Sequence, residues 1–192
     1  MEYKELRELL QRNRSYRRFR QDERLGESML EGLVELTRYC ASGRNLQPLK
    51  YRIVCSEKEC AEIFPALAWA GYLPEWPGPE VGERPAAYLV QCLDTQLTEN
   101  LLCDDGLQLE AITLGAVSLG LGTCIIKSFN AAAIKEALHL PANMKPLYVV
   151  ALGVPEEVVE IEDMQGEDVK YWRDENKIHH VPKRELKELL LK

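Results

Sequence analysis

Long apolar runs are missing from this chain. The longest stretch free of charge, Ala111 to Ile126, is broken by Gly, Thr and Ser, whereas a helix that spans a bilayer needs ~20 mainly apolar residues. No membrane span is expected. The start, MEYKELRELLQRNR, lacks an apolar core ending in a small-residue cleavage site, so the expected location is the cytoplasm. Six cysteines contain no C-x-x-C pair, and three histidines form no H-E-x-x-H pattern. Cys55 and Cys60, the closest pair, fit neither an iron-sulfur run nor the usual zinc spacing, and no metal site is expected. There is no G-x-x-x-x-G-K-[ST] loop. Gly120-Leu121-Gly122 lacks the third glycine of a dinucleotide fingerprint and follows a helical pattern where a strand is required. Ser118, in GAVSLG, lacks the preceding glycine of a nucleophile elbow. Repeats and low-complexity tracts are absent as well.

What is present looks globular. With 46% hydrophobic and 29% charged residues, 12 Gly and 10 Pro, the composition lies far from disordered or fibrous classes. The length suits one domain over residues 1–192. Charge is uneven: Met1 to Arg20 hold seven Lys or Arg against three Glu, leaving −11 on the rest to reach the formal −7. The run RNRSYRRFR is therefore a basic island on an acidic protein. Nucleic acid needs several phosphate contacts and would be repelled by the remainder, so no nucleic-acid partner is expected; one phosphate monoester needs only two or three donors.

Periodicity places amphipathic helices at about Tyr3 to Gln11 and Glu27 to Cys40. The loop ASGRNLQP follows, and Pro48 pushes the chain into a strand at about Lys50 to Cys55. A short helix around Lys58 to Trp69 leads into the Gly/Pro-rich loop GYLPEWPGPEVGERP, in which Trp69, Tyr72 and Trp76 either wall a site or anchor the loop. AAYLVQCL reads as a buried strand and DDGLQLEAITLGAVSLGLG as a central helix ended by Gly120 and Gly122. TCII is a short strand, Asn130 caps the next helix, and LYVVALGVP is a third buried strand. In the charged tail from Glu156, the ordered element expected is a terminal helix at PKRELKELLLK with Pro182 at its start. His179 and His180 read as solvated, His139 as a helix-end partner, and Arg18 and Arg20 as surface charges.

Three segments stand out together: RSYRRF near the N-terminus, SGRNLQP before the first buried strand, and GLGTCIIKSF after the central helix. In order and spacing, and in the Gly153-Val154-Pro155 ending of the last strand, the chain resembles the nitroreductase family of flavin enzymes over about Leu9 to Pro155. The resemblance implies an α+β class: a three-layer fold whose central mixed, mainly antiparallel sheet is flanked by helices. It implies FMN as cofactor, NAD(P)H as electron donor, and a homodimer with flavin at the subunit interface, one chain giving the Arg run and the other the S-x-x-N loop. The tail 156–192 is then expected to pack on the partner subunit.

By the same resemblance, Arg14 and Ser15 meet the FMN phosphate, since a guanidinium offers a planar fork of donors to a near-dianionic monoester. Arg17 is assigned to the N1/O2 edge of the ring or to the ribityl chain, Ser42 to the phosphate or ribityl region, and Asn45 and Gln47 to the pyrimidine edge or ribityl hydroxyls. The alternative for these three is simple loop capping. The resemblance also implies that the backbone of Ile125, Ile126 and Lys127, continuing to Ser128, lies against the ring with an amide N–H near N5. Lys127 stands where some relatives carry an acid, and Leu49 where family members often have an aromatic. A further cation for the phosphate is left open among Arg173, Lys177 and Arg184. The implied reaction is NAD(P)H-dependent reduction of nitroaromatics, quinones or similar acceptors with no obligatory catalytic side chain. The alternative is a flavin-binding carrier or sensor without turnover.

Overall fold

The computed structural model describes residues 2–191. Its centre is a five-stranded, antiparallel sheet built on the longest strand, β5 (Met144–Pro155). Strand β3 (Ala87–Asp94) pairs with one side of β5 and β2 (Leu49–Val54) pairs with β3. β4 (Gly122–Ile126) pairs with the other side of β5, and the two-residue β1 (Phe19–Arg20) pairs with the C-terminal end of β5. Every residue of β3 is buried, which requires cover on both faces and explains the continuous apolar run that marks it in the sequence.

Alternation along the strands distributes side chains to two cores. On one face Tyr88, Val90, Val149, Ala151, Cys124 and Ile126 pack with α3 (Glu57–Ile63) and α5 (Ala131–Ala137). On the other, Leu89, Val150 and Leu152 meet α2 (Glu27–Glu35) and α4 (Asp104–Ser118). The layers are helix, sheet, helix, an α+β arrangement as expected. Leu30 and Leu33 of the predicted α2 face are buried, while Met29 is exposed, because only the inner stripe reaches the sheet. The helix gives way to a 3₁₀ turn at Leu36–Tyr39. Asn130 caps α5, its side chain accepting from Ala133 N–H. No helix among the described residues is long and apolar enough to cross a membrane.

Some expectations are corrected. The helix around Lys58 to Trp69 ends at Ile63, with a 3₁₀ turn at Phe64–Ala66, where Pro65 removes a backbone donor. Gly120, at φ +78°, does close α4, but Gly122 is the first residue of β4 and not a terminator. A methyl at Gly122 would lie 2.8 Å from the Tyr16 ring and 2.9 Å from Pro155, so the missing side chain is what lets the N-terminal segment lie against β4.

The tail differs most. It forms a second sheet, in which β6 (Val159–Asp163) runs parallel to β8 (His179–Lys183) and β7 (Trp172–Arg173) closes the far side of β8. Pro182 sits inside β8 opposite Glu162 and does not start a helix; the terminal helix α6 is only Leu186–Leu189. Ordering comes from the pairing of β6 with β8, twenty residues on, and of β7 with β8 across a short turn, which local periodicity does not reveal.

Candidate functional site

The basic N-terminal run leaves helix α1 (Tyr3–Arg12) and is fixed at once on three sides. Asn13 donates its side-chain amide to Thr113 Oγ1 (2.9 Å) and Glu110 Oε1 (3.2 Å) on α4. Tyr16 N–H donates to the Thr123 carbonyl on β4 (2.8 Å), and Ser15 bridges Thr123 in parallel register. The Arg17 N–H donates to the Glu157 carboxylate of the tail in a short contact. These anchors hold Arg14, Ser15 and Arg17 on the wall of a cavity of about 340 Å³, within the size range of small-molecule sites.

The same cavity is lined by Thr123 and Ile125 from β4 and by Tyr171, His179 and Lys183 from the tail. Because backbone groups alternate along a strand, the Thr123 carbonyl that accepts from Tyr16 puts the Ile125 N–H and C=O on the same open edge of β4. A donor and an acceptor of the main chain are therefore offered beside the cavity. Ile126 and Lys127 line an adjoining pocket of about 110 Å³ with Arg17 and Trp69. The Lys127 ammonium lies 4.0 Å over the Tyr148 ring, so its charge has a partner of its own. Leu49 is buried at the start of β2, opposite Leu93.

Charge pairing separates the arginines into two groups. Arg18, expected at the surface, is 9% exposed and its Nε and Nη2 donate to Glu83 at 2.8 and 2.6 Å. That pairing raises its pKa and lowers the carboxyl pKa of Glu83. Arg20 is exposed, bridging Glu23 and Glu156. Arg173 pairs with Glu157 at 3.3 Å; burial pushes the Glu157 carboxyl up and the Arg173 guanidinium down. By contrast, among the described residues no carboxylate lies within ion-pair distance of Arg14, Arg17 or Lys183. Arg14 donates to the Leu10 carbonyl (2.9 Å), and among the described residues its buried Nε has no partner. Three cations with spare donors thus converge on one cavity, which suits an anionic ligand.

His179 corrects another expectation. It is fully buried, not solvated, and burial together with Arg17, Arg173 and His180 lowers its pKa to about 4. Its Nε2 lies 3.1 Å from Arg17 Nη1, and its Nδ1 is buried without a partner. The Arg17 guanidinium also lies 4.7 Å over the Tyr171 ring, which stands 4.9 Å from Tyr72 and 5.0 Å from His179. His180 is partly buried, stacked 4.1 Å from Trp172 and between Glu162 and Asp174.

Ser42, Asn45 and Gln47 are not brought to this cavity within the chain. They form a tight turn before β2: Ser42 Oγ accepts from Gln47 N–H (2.9 Å), and Gln47 donates its amide to Asn45 O (3.1 Å) and Oδ1 (3.2 Å). Arg44, Asn45 and Gln47 all have φ between 51° and 56°, a costly conformation for side chains other than glycine and one often found at binding sites. Gly43 N–H is held by the buried Asp104 (3.0 Å). Of the aromatics, Trp69 is a core residue against Phe64. Tyr72 and Trp76 border a separate depression, where Arg173 lies 4.5 Å from the Trp76 ring.

Sequence reading missed Lys183, His179, Tyr171, Thr123 and Asn13 as cavity residues. A signal did exist for the tail: His179, Val181 and Lys183 alternate and all face the cavity from β8.

Comparison with known proteins bears out the resemblance. Residues 97–154 match the model of the nitroreductase family. A nitroreductase family protein of Streptococcus pneumoniae superposes with a TM-score of 0.69 at 17% identity, covering 97% of this chain and 99% of that one. One from Clostridium novyi gives 0.65 at 24% identity, covering 98% of each chain. An FMN-dependent nitroreductase of Clostridium difficile gives 0.64 at 16% identity, covering 83% of this chain and 90% of that one. The fold is the nitroreductase fold.

Proposed function

We propose that the protein is an FMN-dependent oxidoreductase that takes reducing equivalents from NAD(P)H and passes them to a nitroaromatic, a quinone or a similar electron-poor acceptor. The observation that carries this reading is the convergence of Arg14, Arg17 and Lys183, none with a carboxylate within ion-pair distance of its side chain among the described residues, on a cavity beside the open edge of β4. The orphaned Arg14 Nε and His179 Nδ1 fit an oxygen-rich anionic group. The solved relative described as an FMN-dependent nitroreductase supports FMN as that group.

Bound there, FMN would supply hydride and electron transfer chemistry. Arg14, Ser15 and Lys183 would hold its phosphate, and Arg17 would place a fixed positive charge by the ring or ribityl chain. Ile125, Ile126 and Lys127 would present main-chain groups to the ring, and Thr123 and Ile125 would exclude water from one side. No side chain is needed as general acid or base, and none is assigned.

The distance of Ser42, Asn45 and Gln47 from the cavity supports a homodimer in which the partner's copy of this turn completes the site. The exposed Leu186, Leu189 and Leu190 of the tail support its packing on that partner. The test is anaerobic addition of NADH or NADPH to the FMN-loaded protein. Loss of the flavin band near 450 nm at ~1 per second or faster is expected, in line with ordinary turnover. No bleaching with either donor would favour a flavin carrier or sensor.

A further inference from the structure

Arg17 and His179 are 162 positions apart in sequence and 3.1 Å apart in space. A guanidinium has donors and no acceptor, so the contact is a hydrogen bond only if His179 Nε2 carries a lone pair. The single proton of the neutral ring then sits on Nδ1, an atom that is buried and has no partner, in a side chain that lines the cavity. A buried N–H without an acceptor is costly, and such groups in native proteins commonly await a ligand or water. The surroundings keep the ring neutral. Arg17 and Arg173 face it, His180 follows it on β8, and the Glu157 carboxylate is already bound by the Arg17 backbone and Arg173. Lys183 and Glu110 also border the cavity, and Glu110 is engaged by Asn13.

We infer that His179 is a ligand-binding and positioning residue of this cavity: its Nε2 fixes the Arg17 guanidinium, and its Nδ1–H is a neutral donor to an acceptor atom of the bound group. A neutral donor is the suitable type here, because a fourth cation would repel Arg17 and loosen the contact that orients it. The tail thereby reaches the site through a strand and does more than cover it. The identity of the occupant rests on the flavin reading above; the tautomer and the free donor do not.

The experiment is long-range nitrogen NMR of histidine-labelled protein, with His139→Gln and His180→Gln used to assign the three rings. In ligand-free protein at pH 7, His179 should be neutral with the proton on Nδ1, and addition of FMN should move the Nδ1 resonance in the direction of a stronger hydrogen bond. Proton on Nε2, a charged ring at pH 7, or an Nδ1 resonance unmoved by bound FMN would overturn the inference. In parallel, His179→Gln keeps an acceptor near the Nε2 position and removes the Nδ1 donor. It should weaken FMN binding ~10-fold, as quenching of flavin fluorescence reads it, in line with a lost buried donor. Wild-type affinity in that variant would also overturn it. If the wild-type protein binds no FMN, the flavin reading fails, and the same Nδ1 shift measured with inorganic phosphate decides for or against His179 on its own.

Discussion

Arg18 and Arg14 are four positions apart and have opposite fates. Arg18 looks like one more surface charge in the sequence, yet its guanidinium is buried against Glu83 and its neighbour Phe19 donates its N–H to the Glu83 carbonyl (2.9 Å). Replacing Arg18 with Ala should therefore cost about 1–3 kcal/mol, since it strands a half-buried carboxylate. Urea denaturation reads this, and a change within experimental error would put Arg18 back at the surface. His179 supplies a pH dependence. Its folded pKa of about 4 lies below the ordinary 6.5, so the unfolded chain takes up a proton that the folded chain declines. Stability should then fall as pH drops from about 6.5 to 4, by roughly 3 kcal/mol from this group. The denaturation midpoint of His179→Gln should show a shallower acid slope than wild type; parallel slopes would contradict the assignment.

At the scale of elements, the local rules worked where the segment is buried on both faces or carries a helical stripe. β3, β5 and α4 announced themselves as apolar runs, and Asn130 as a cap. They failed where order comes from partners remote in sequence. β1 and β7 have two residues each and no period to detect, and β6 and β8 show no alternation of buried and exposed residues. Part of the cavity wall was legible for a different reason: RSYRRF and GLGTCIIKSF are continuous segments that carry the family resemblance, whereas the contribution of the tail depends on a fold-back. Gly122 joins the two levels, and its role is close approach. Gly122→Ala should push Tyr16 off β4, destabilise the protein by about 1–3 kcal/mol as overpacking does, and reduce FMN affinity. A structure of the variant with Tyr16 N–H still on the Thr123 carbonyl and unchanged stability would contradict this.

For the whole molecule, the question is why Arg14 and the 42–47 turn are apart if both serve one ligand. On the proposed reading, two copies arranged about a twofold axis would resolve it, each giving its basic run to one site and its turn to the other. This makes a prediction that a within-chain site would not. Arg14→Ala and Asn45→Ala should each impair FMN binding, and mixed dimers of the two should regain tight binding at one of their two sites, because one site then holds both defects and the other none. Recovery is read as FMN retained per dimer after gel filtration of co-expressed, differently tagged chains. No recovery in the mixed dimers would confine the site to a single chain. The strained turn, held by Asp104 and internal hydrogen bonds, is the element that such an arrangement would present ready-made.

On the proposed reading, the cavity between α4, β4 and β8 is an FMN site held by Arg14, Arg17 and Lys183. The direct measurement is an FMN titration of the purified protein by visible absorbance and fluorescence, alongside Arg14→Ala. The expected result is saturable binding at one FMN per chain, with a shifted flavin band, weakened in the variant by the equivalent of about 2–4 kcal/mol. Folded protein that leaves added FMN free at micromolar concentration, or binds it equally well without the Arg14 guanidinium, would contradict it.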